Sequence, residues 1–195
     1  RYKIQNVALL SKIIDYLSIN MSQIFSGKSI ANFLKSENRE CSKESLYNYL
    51  LFICSSCIAD KVPRYDIQGK KVLSTFDKYY LADVSLARIN SVKIDIGASL
   101  ENIVYNELKC RGYEVYIGAL KNAEVDFVAQ KGNEKLYFQV CYLLADEATV
   151  EREFSAYKNV KDNFPKYVLS VDKFDFSQDG IIHKNIIDWL LEPHS

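Results

Sequence analysis

Two short stretches hold the residue types best suited to chemistry: Glu124-Val125-Asp126-Phe127-Val128 and, past Gly132-Asn133, Phe138-Gln139-Val140-Cys141-Tyr142. If Gly132-Asn133 is a two-residue hairpin turn, the register sets Asp126 opposite Gln139 and Glu124 opposite Cys141, with directly opposed side chains about 5 Å apart. Period-2 alternation then places Glu124, Asp126, Tyr137, Gln139 and Cys141 on one face, beneath a helix carrying Glu101, and Val125, Phe127, Phe138 and Val140 on the other. Carboxylate and amide oxygens grouped in this way suit Mg²⁺. Metal-assisted phosphodiester hydrolysis needs them together with a cation that offsets charge and orients the attacking water. Glu101, Asp126 and Gln139 are the candidate metal ligands, for weak Mg²⁺ binding; no other cofactor is expected in this chain. The cation is missing. Cys141 stands in its place, and a thiol of reference pKa near 8.5 is mostly neutral at pH 7 and, when ionised, prefers softer metals. Lys135 shares the face but lies four residues from Gln139, roughly 13 Å along a strand; Lys121 is a further candidate. The alternative is that Glu124 and Asp126 are solvated hairpin residues while Gln139 and Cys141 fill a half-buried strand.

The elements that must position these residues are legible from periodicity. Leu100, Ile103, Val104 and Leu108 form a helical stripe that stops at Arg111-Gly112, where glycine supplies a left-handed cap. Strands are predicted over 113–118, 123–130, 135–142 and 166–171, with a helix over 147–158 behind Asp146 as N-cap and a last helix over 186–191. On the first of these, Glu147, Glu151, Arg152 and Glu153 read as a solvated face. The order α-β-β-β-α-β-α predicts a mixed sheet flanked by helices.

The first half is built differently. Val7, Leu10, Ile14 and Leu17 make one helical stripe, Ile30, Phe33 and Leu34 a second, and Leu46, Leu50 and Ile53 a third behind Ser42 as N-cap. Strands over 58–65 and 78–84, around a turn at Gln68-Gly69-Lys70-Lys71, complete three helices and a hairpin. That pattern predicts a winged helix-turn-helix over residues 1–95, a connector over 88–97 and an α/β domain over 96–195: an α+β chain of two domains. In a DNA-binding winged helix, Lys43, Tyr47 and Asn48 of the third helix face outward, and Arg64, Lys70 and Lys71 make the wing basic. The same helix lacks Arg and Lys over Ser45–Cys57 and shows Tyr47 and Leu51, a face suited to protein docking.

Composition sets limits. The net charge is zero, but residues 1–95 hold 14 Lys and Arg against 9 Asp and Glu, whereas 96–195 hold 11 against 16, so nucleic-acid affinity is expected in the first half. No apolar run approaches the roughly 20 residues that cross a bilayer, so no membrane association is expected. The first ten residues lack a signal peptide's apolar region. With five cysteines in no regular framework, a cytoplasmic location is expected. The start at Arg1 suggests a fragment. Cys54-Ser55-Ser56-Cys57 lacks two further zinc ligands, His183 and His194 being far along the chain. Ser26-Gly27-Lys28-Ser29 resembles the end of a phosphate-binding loop, but position 22 is Ser rather than Gly and no strand leads in, so nucleotide binding is not predicted.

The second half resembles the PD-(D/E)XK nuclease-like superfamily, with Glu101 as the helical acid, Val125-Asp126 at its Pro-Asp position and Gln139-Val140-Cys141 where Glu-x-Lys stands. The whole chain, from about Val7 to Glu192, resembles a narrower family: the C-terminal region of prokaryotic AAA+-type ATPases. There a winged helix and a PD-(D/E)XK-like domain of unknown function follow the ATPase domain. The resemblance is carried by Val62-Pro63-Arg64-Tyr65-Asp66-Ile67-Gln68-Gly69-Lys70-Lys71, Lys78-Tyr79-Tyr80-Leu81-Ala82-Asp83, Leu100-Glu101-Asn102-Ile103-Val104-Tyr105-Asn106-Glu107-Leu108 and Gln139-Val140-Cys141-Tyr142. Members of that family share Gln-Val-Cys. The resemblance therefore implies degenerate catalytic positions at Glu101, Asp126, Gln139 and Cys141, an ATPase domain with its ATP before Arg1, and that domain or DNA as partner. A metal-dependent nuclease is the enzyme alternative, favoured by a Lys or Arg close to Cys141; pure protein docking is the third.

Overall fold

The computed structural model describes residues 4–89 and 95–193. Residues 90–94 of the connector expected over 88–97, and His194, lie outside the described residues. The chain separates into two compact units, Arg1–Val62 with Phe76–Asp95 and Pro63–Thr75 with Ile96–Ser195. Among the described residues there are seven helices and nine strands, a mixed α+β composition.

In the first unit three helices, α1 (Val7–Ile19), α2 (Gly27–Ser36) and α3 (Lys43–Ser55), start at the side-chain caps Asn6, Ser26 and Ser42, each of which accepts a backbone N–H three residues on. Ile13, Ile30, Leu34 and Ile53 are almost fully buried between them. The α1 stripe differs from expectation: Leu9, Ile13, Tyr16 and Leu17 face inward while Val7 is exposed. Adjacent apolar pairs, Leu9-Leu10 and Ile13-Ile14, satisfy helical spacing on either of two neighbouring faces, so periodicity alone could not choose. Ser26 caps α2 through its hydroxyl, which also bonds that of Ser29 at 2.6 Å; the Gly27-Lys28-Ser29 fragment is a helix start.

The hairpin differs more. β1 (Ala59–Val62) pairs antiparallel with β4 (Lys78–Leu81), and α4 (Ser85–Ile89) follows. The strand expected over 58–65 breaks at Pro63. Proline has no N–H to continue a ladder, and from here the chain enters the second unit, where the Pro63 carbonyl accepts the Ile117 N–H. The segment 63–75 adds β2 (Arg64–Asp66) and β3 (Lys71–Val72) to the larger sheet. Arg64, Lys70 and Lys71, read as a wing of the 1–95 domain, therefore belong to the second unit. The +5 and −5 of the halves become +3 and −3 for the units, because residues 63–75 carry three cations and one acid.

The second unit is a seven-stranded mixed sheet of order β3-β2-β5-β6-β7-β8-β9, completed by β5 (Glu114–Ala119), β6 (Glu124–Lys131), β7 (Glu134–Val140), β8 (Lys166–Ser170) and β9 (Ile182–Asn185). Its helices are α5 (Ile96–Cys110), α6 (Glu147–Ser155) and α7 (Ile186–Leu190). β9 and the β2–β3 pair are absent from the sequence reading. One face packs under α5, with Tyr105 6.2 Å from the Phe127 ring. On the other, Phe154 and Tyr157 join Val128, Tyr137 and Val168 in one buried cluster. Among the described residues no helix is long and apolar enough to cross a membrane.

Candidate functional site

The β6–β7 hairpin has the register that the Gly132-Asn133 turn implies: Phe127 pairs with Phe138, Val128 with Tyr137 and Lys131 with Glu134. Gly132, at φ +60, supplies the left-handed residue that this turn requires. Backbone pairing then stops one step short of Asp126 and Gln139, and side chains replace the next rung. The Asp126 N–H donates to Gln139 Oε1 at 3.3 Å, and the Val140 N–H donates to Asp126 Oδ2 at 2.8 Å. Beyond the fork β7 stays with β8, and the Cys141 N–H donates to the Leu169 carbonyl.

A β-bulge lies at the fork. Tyr116 pairs with Val128 and Gly118 with Val125, so Asp126 and Phe127 oppose the single residue Ile117. A Cβ on Gly118 would lie 2.9 Å from Ile67 Cδ1 and 3.0 Å from Val125 Cβ, so this crowded point needs glycine. The extra residue shifts the alternation. Val125 joins the α6-side cluster, and Glu124, paired with Ala119, turns to the α5 side. The expected opposition of Glu124 and Cys141 is not formed. Glu101 is carried by α5, whereas the Gln139 amide points to α6.

That amide donates to Glu153 Oε2 at 3.0 Å, and Arg152 donates twice to Glu153 Oε1, at 2.9 and 2.6 Å. Glu153 is 5% exposed, so the expectation of a solvated face over Glu147, Glu151, Arg152 and Glu153 is corrected at Glu153. A signal existed: Glu153 precedes the buried Phe154 on the inward side of a short helix. Among the described residues no three His, Cys, Asp or Glu side chains gather as a metal-binding group.

Cys141 is buried beside this network, and burial first, then Glu153, Asp172 and Asp126, push its thiol up to about 12. Arg152 is close enough to pull in the opposite direction. The thiol is therefore neutral and inert at physiological pH. With an aromatic disulfide reagent at pH 8, exposed Cys57 and Cys110 are expected to react first and Cys141 only in denaturant. Rapid native labelling mapped to Cys141 by mass spectrometry would contradict this. The other candidate lysines do not enter the site: Lys135 lies over the Tyr65 and Phe164 rings, and Lys121 is exposed.

A second buried polar group was not anticipated. His183 Nε2 lies 2.9 Å from Ser170 Oγ, which lies 2.7 Å from Asp172 Oδ2. The Phe176 N–H donates to His183 Nδ1, so Nε2 carries the proton and donates to Ser170, whose own proton goes to Asp172. Serine is thus the middle of the chain and fully buried, an arrangement that ties down the loop before β9 and offers no nucleophile. On α3 the exposed residues are Lys43, Glu44, Tyr47, Asn48, Leu51 and Ser55, with Tyr47 and Leu51 47% and 60% accessible.

No protein-family profile matches the chain. It is 32% identical over 195 residues to an uncharacterized protein of Haemophilus influenzae, covering 98% of this chain and 48% of that protein. It is 33% identical over 168 residues to an uncharacterized protein of Methanocaldococcus jannaschii, covering 83% of this chain and 37% of that protein. The chain thus spans about half or less of the curated relatives it matches.

Proposed function

We propose that the chain is a non-catalytic recognition module for nucleic acid or a partner protein, in which a winged helix accompanies a PD-(D/E)XK nuclease-like domain with a degenerate site. Its place is the C-terminal region of an AAA+-type ATPase, whose own domain binds ATP. More than half of each relative lies outside the match, which leaves them room for such a domain. One observation carries the non-catalytic reading: a side-chain oxygen of each candidate ligand, Gln139 Oε1 and Asp126 Oδ2, accepts a backbone N–H group within the sheet. Purified chain with Mg²⁺ or Mn²⁺ is expected to leave single- and double-stranded DNA and RNA intact. Cleavage that stops in Asp126→Ala is the outcome that overturns this.

Two observations favour other readings. The proximity of Arg152 to Cys141 favours a metal-dependent nuclease with arginine as the cation. Against it, that guanidinium is already committed to Glu153. The exposed Tyr47 and Leu51 favour protein docking through α3, with Lys43 and Asn48 beside them as the DNA alternative.

A further inference from the structure

The β2–β3 turn and the turn after α6 enclose a groove of about 480 Å³ lined by Ile67, Gln68, Lys70, Asn159, Lys161 and Asp162. Its first wall is held by Asp66, whose Oδ1 accepts the Gln68 and Gly69 N–H groups at 3.1 and 2.9 Å. A Cβ on Gly69 would lie 2.4 Å from Asp66 Oδ2, so glycine lets the turn close. The next residue, Lys70, has φ +51, a left-handed conformation in which glycine or asparagine is the usual occupant. A lysine held there is a strained backbone position carrying a charge, the kind of feature that gathers at binding sites.

On the second wall the acid is already neutralised. Asp162 accepts the Tyr137 hydroxyl at 2.6 Å and pairs with Lys166 at 3.7 Å. Lys70 and Lys161 are both exposed, and among the described residues neither has an acidic partner within 4.0 Å. Nearby, Lys135 Nζ sits 5.2 Å from the rings of Tyr65 and of Phe164, which is 38% exposed. The groove therefore offers two uncommitted cations, a third close by, and an accessible aromatic ring.

We propose that this groove binds the phosphodiester backbone of a single-stranded nucleic acid, with Lys70 and Lys161 on phosphate and Phe164 stacking on a base. The proposal deepens the recognition reading and rests on its nucleic-acid arm. Cations tracking a backbone beside an exposed aromatic ring are what single strands require, and a duplex hides its base faces. The volume, within the roughly 300–1,000 Å³ of a small-molecule pocket, has room for part of such a strand.

The test is fluorescence anisotropy of a labelled oligothymidylate across a salt series, with duplex DNA and inorganic phosphate as competitors. Lys70→Glu with Lys161→Glu, both exposed and checked for folding by circular dichroism, is expected to weaken binding at least ~10-fold. It should also lower the slope of log K against log salt by about 1.4, from two single-strand phosphate contacts at ~0.7 each. Lys173→Glu, an exposed lysine that does not line the groove, should leave both unchanged, Lys43→Glu reads the α3 alternative, and neither competitor should match the unlabelled strand. Unchanged affinity and slope in the double variant, or loss confined to Lys43→Glu, would overturn the groove while leaving the recognition reading intact. Absence of wild-type binding at low salt would overturn the groove and the nucleic-acid arm together. Equal competition by duplex or phosphate would overturn the single-strand assignment.

Discussion

Replacing Asp126 by Ala is expected to lower stability by about 2–4 kcal/mol, measured as the urea unfolding free energy. The carboxylate is buried and accepts the buried Val140 N–H at 2.8 Å, where the ladder between β6 and β7 would otherwise have its next rung. Truncation leaves that N–H without an acceptor in the sheet interior, which alone costs about 1–3 kcal/mol. It also removes the group that closes the fork. Asp126→Asn keeps an oxygen of the same reach and should lose only about 1 kcal/mol. A site built to gather carboxylates around a metal behaves oppositely: without the metal, removing one acid relieves repulsion and raises stability. An Asp126→Ala protein as stable as wild type would therefore contradict the role of this carboxylate as the latch of the fork.

The other large effect is expected at Gln139→Glu, a change that completes the acidic pair of a metal site. Here it converts a donor into an acceptor, because the Gln139 amide N–H donates to Glu153 Oε2 at 3.0 Å and Glu153 is buried. Two carboxylates then share a buried position with Asp126 beside them, at a cost of about 2–4 kcal/mol at pH 7. The sign of the pH dependence follows. A carboxyl group crowded by like charges has a folded pKa above its unfolded value of about 4.3. The folded variant thus binds protons that the unfolded chain has released, and its stability falls as pH rises through that interval. Below about pH 4 the difference from wild type should nearly vanish. A stability gap that stays constant from pH 4 to pH 8 would contradict the proximity of the two groups. Adding Cys141→Lys places a cation beside the pair and should recover part of the loss.

The second unit was the more legible in sequence because its signals are local. The Gly132-Asn133 turn fixed the hairpin register, and Asp146 capped α6 as expected. What escaped are features made by distant partners. The bulge at Asp126-Phe127 depends on crowding between Gly118, Ile67 and Val125, and nothing in Glu124-Val125-Asp126 marks it. Unbroken alternation through the bulge consequently puts Glu124 on the face opposite the one it takes. Glu153 escaped because a single buried acid on a charged helix looks like its solvated neighbours until Gln139 is seen opposite it. The apolar run over 58–65 looked continuous although Pro63 lay within it, and that proline marks the crossing between units. In α1 the apolar residues come in adjacent pairs, so the stripe existed but its direction did not follow from spacing.

Asp126 and Gln139 do converge, yet one side-chain oxygen of each accepts a backbone N–H, and the Gln139 amide joins them to the Glu153–Arg152 pair. Among the described residues, exposed lysines without an acidic partner within 4.0 Å include Lys43 on α3 and Lys70 in the β2–β3 turn.

On the proposed reading, Asp126 and its partners hold the sheet fork together and do not hold a metal. The thermal unfolding midpoint of the wild-type chain and of Asp126→Ala, each with and without millimolar Mn²⁺, tests it most directly. Ligand binding to the folded state must raise the midpoint. The latch account expects Asp126→Ala to melt below wild type and Mn²⁺ to shift neither protein. A saturable Mn²⁺-dependent rise in wild type that disappears in Asp126→Ala would contradict it.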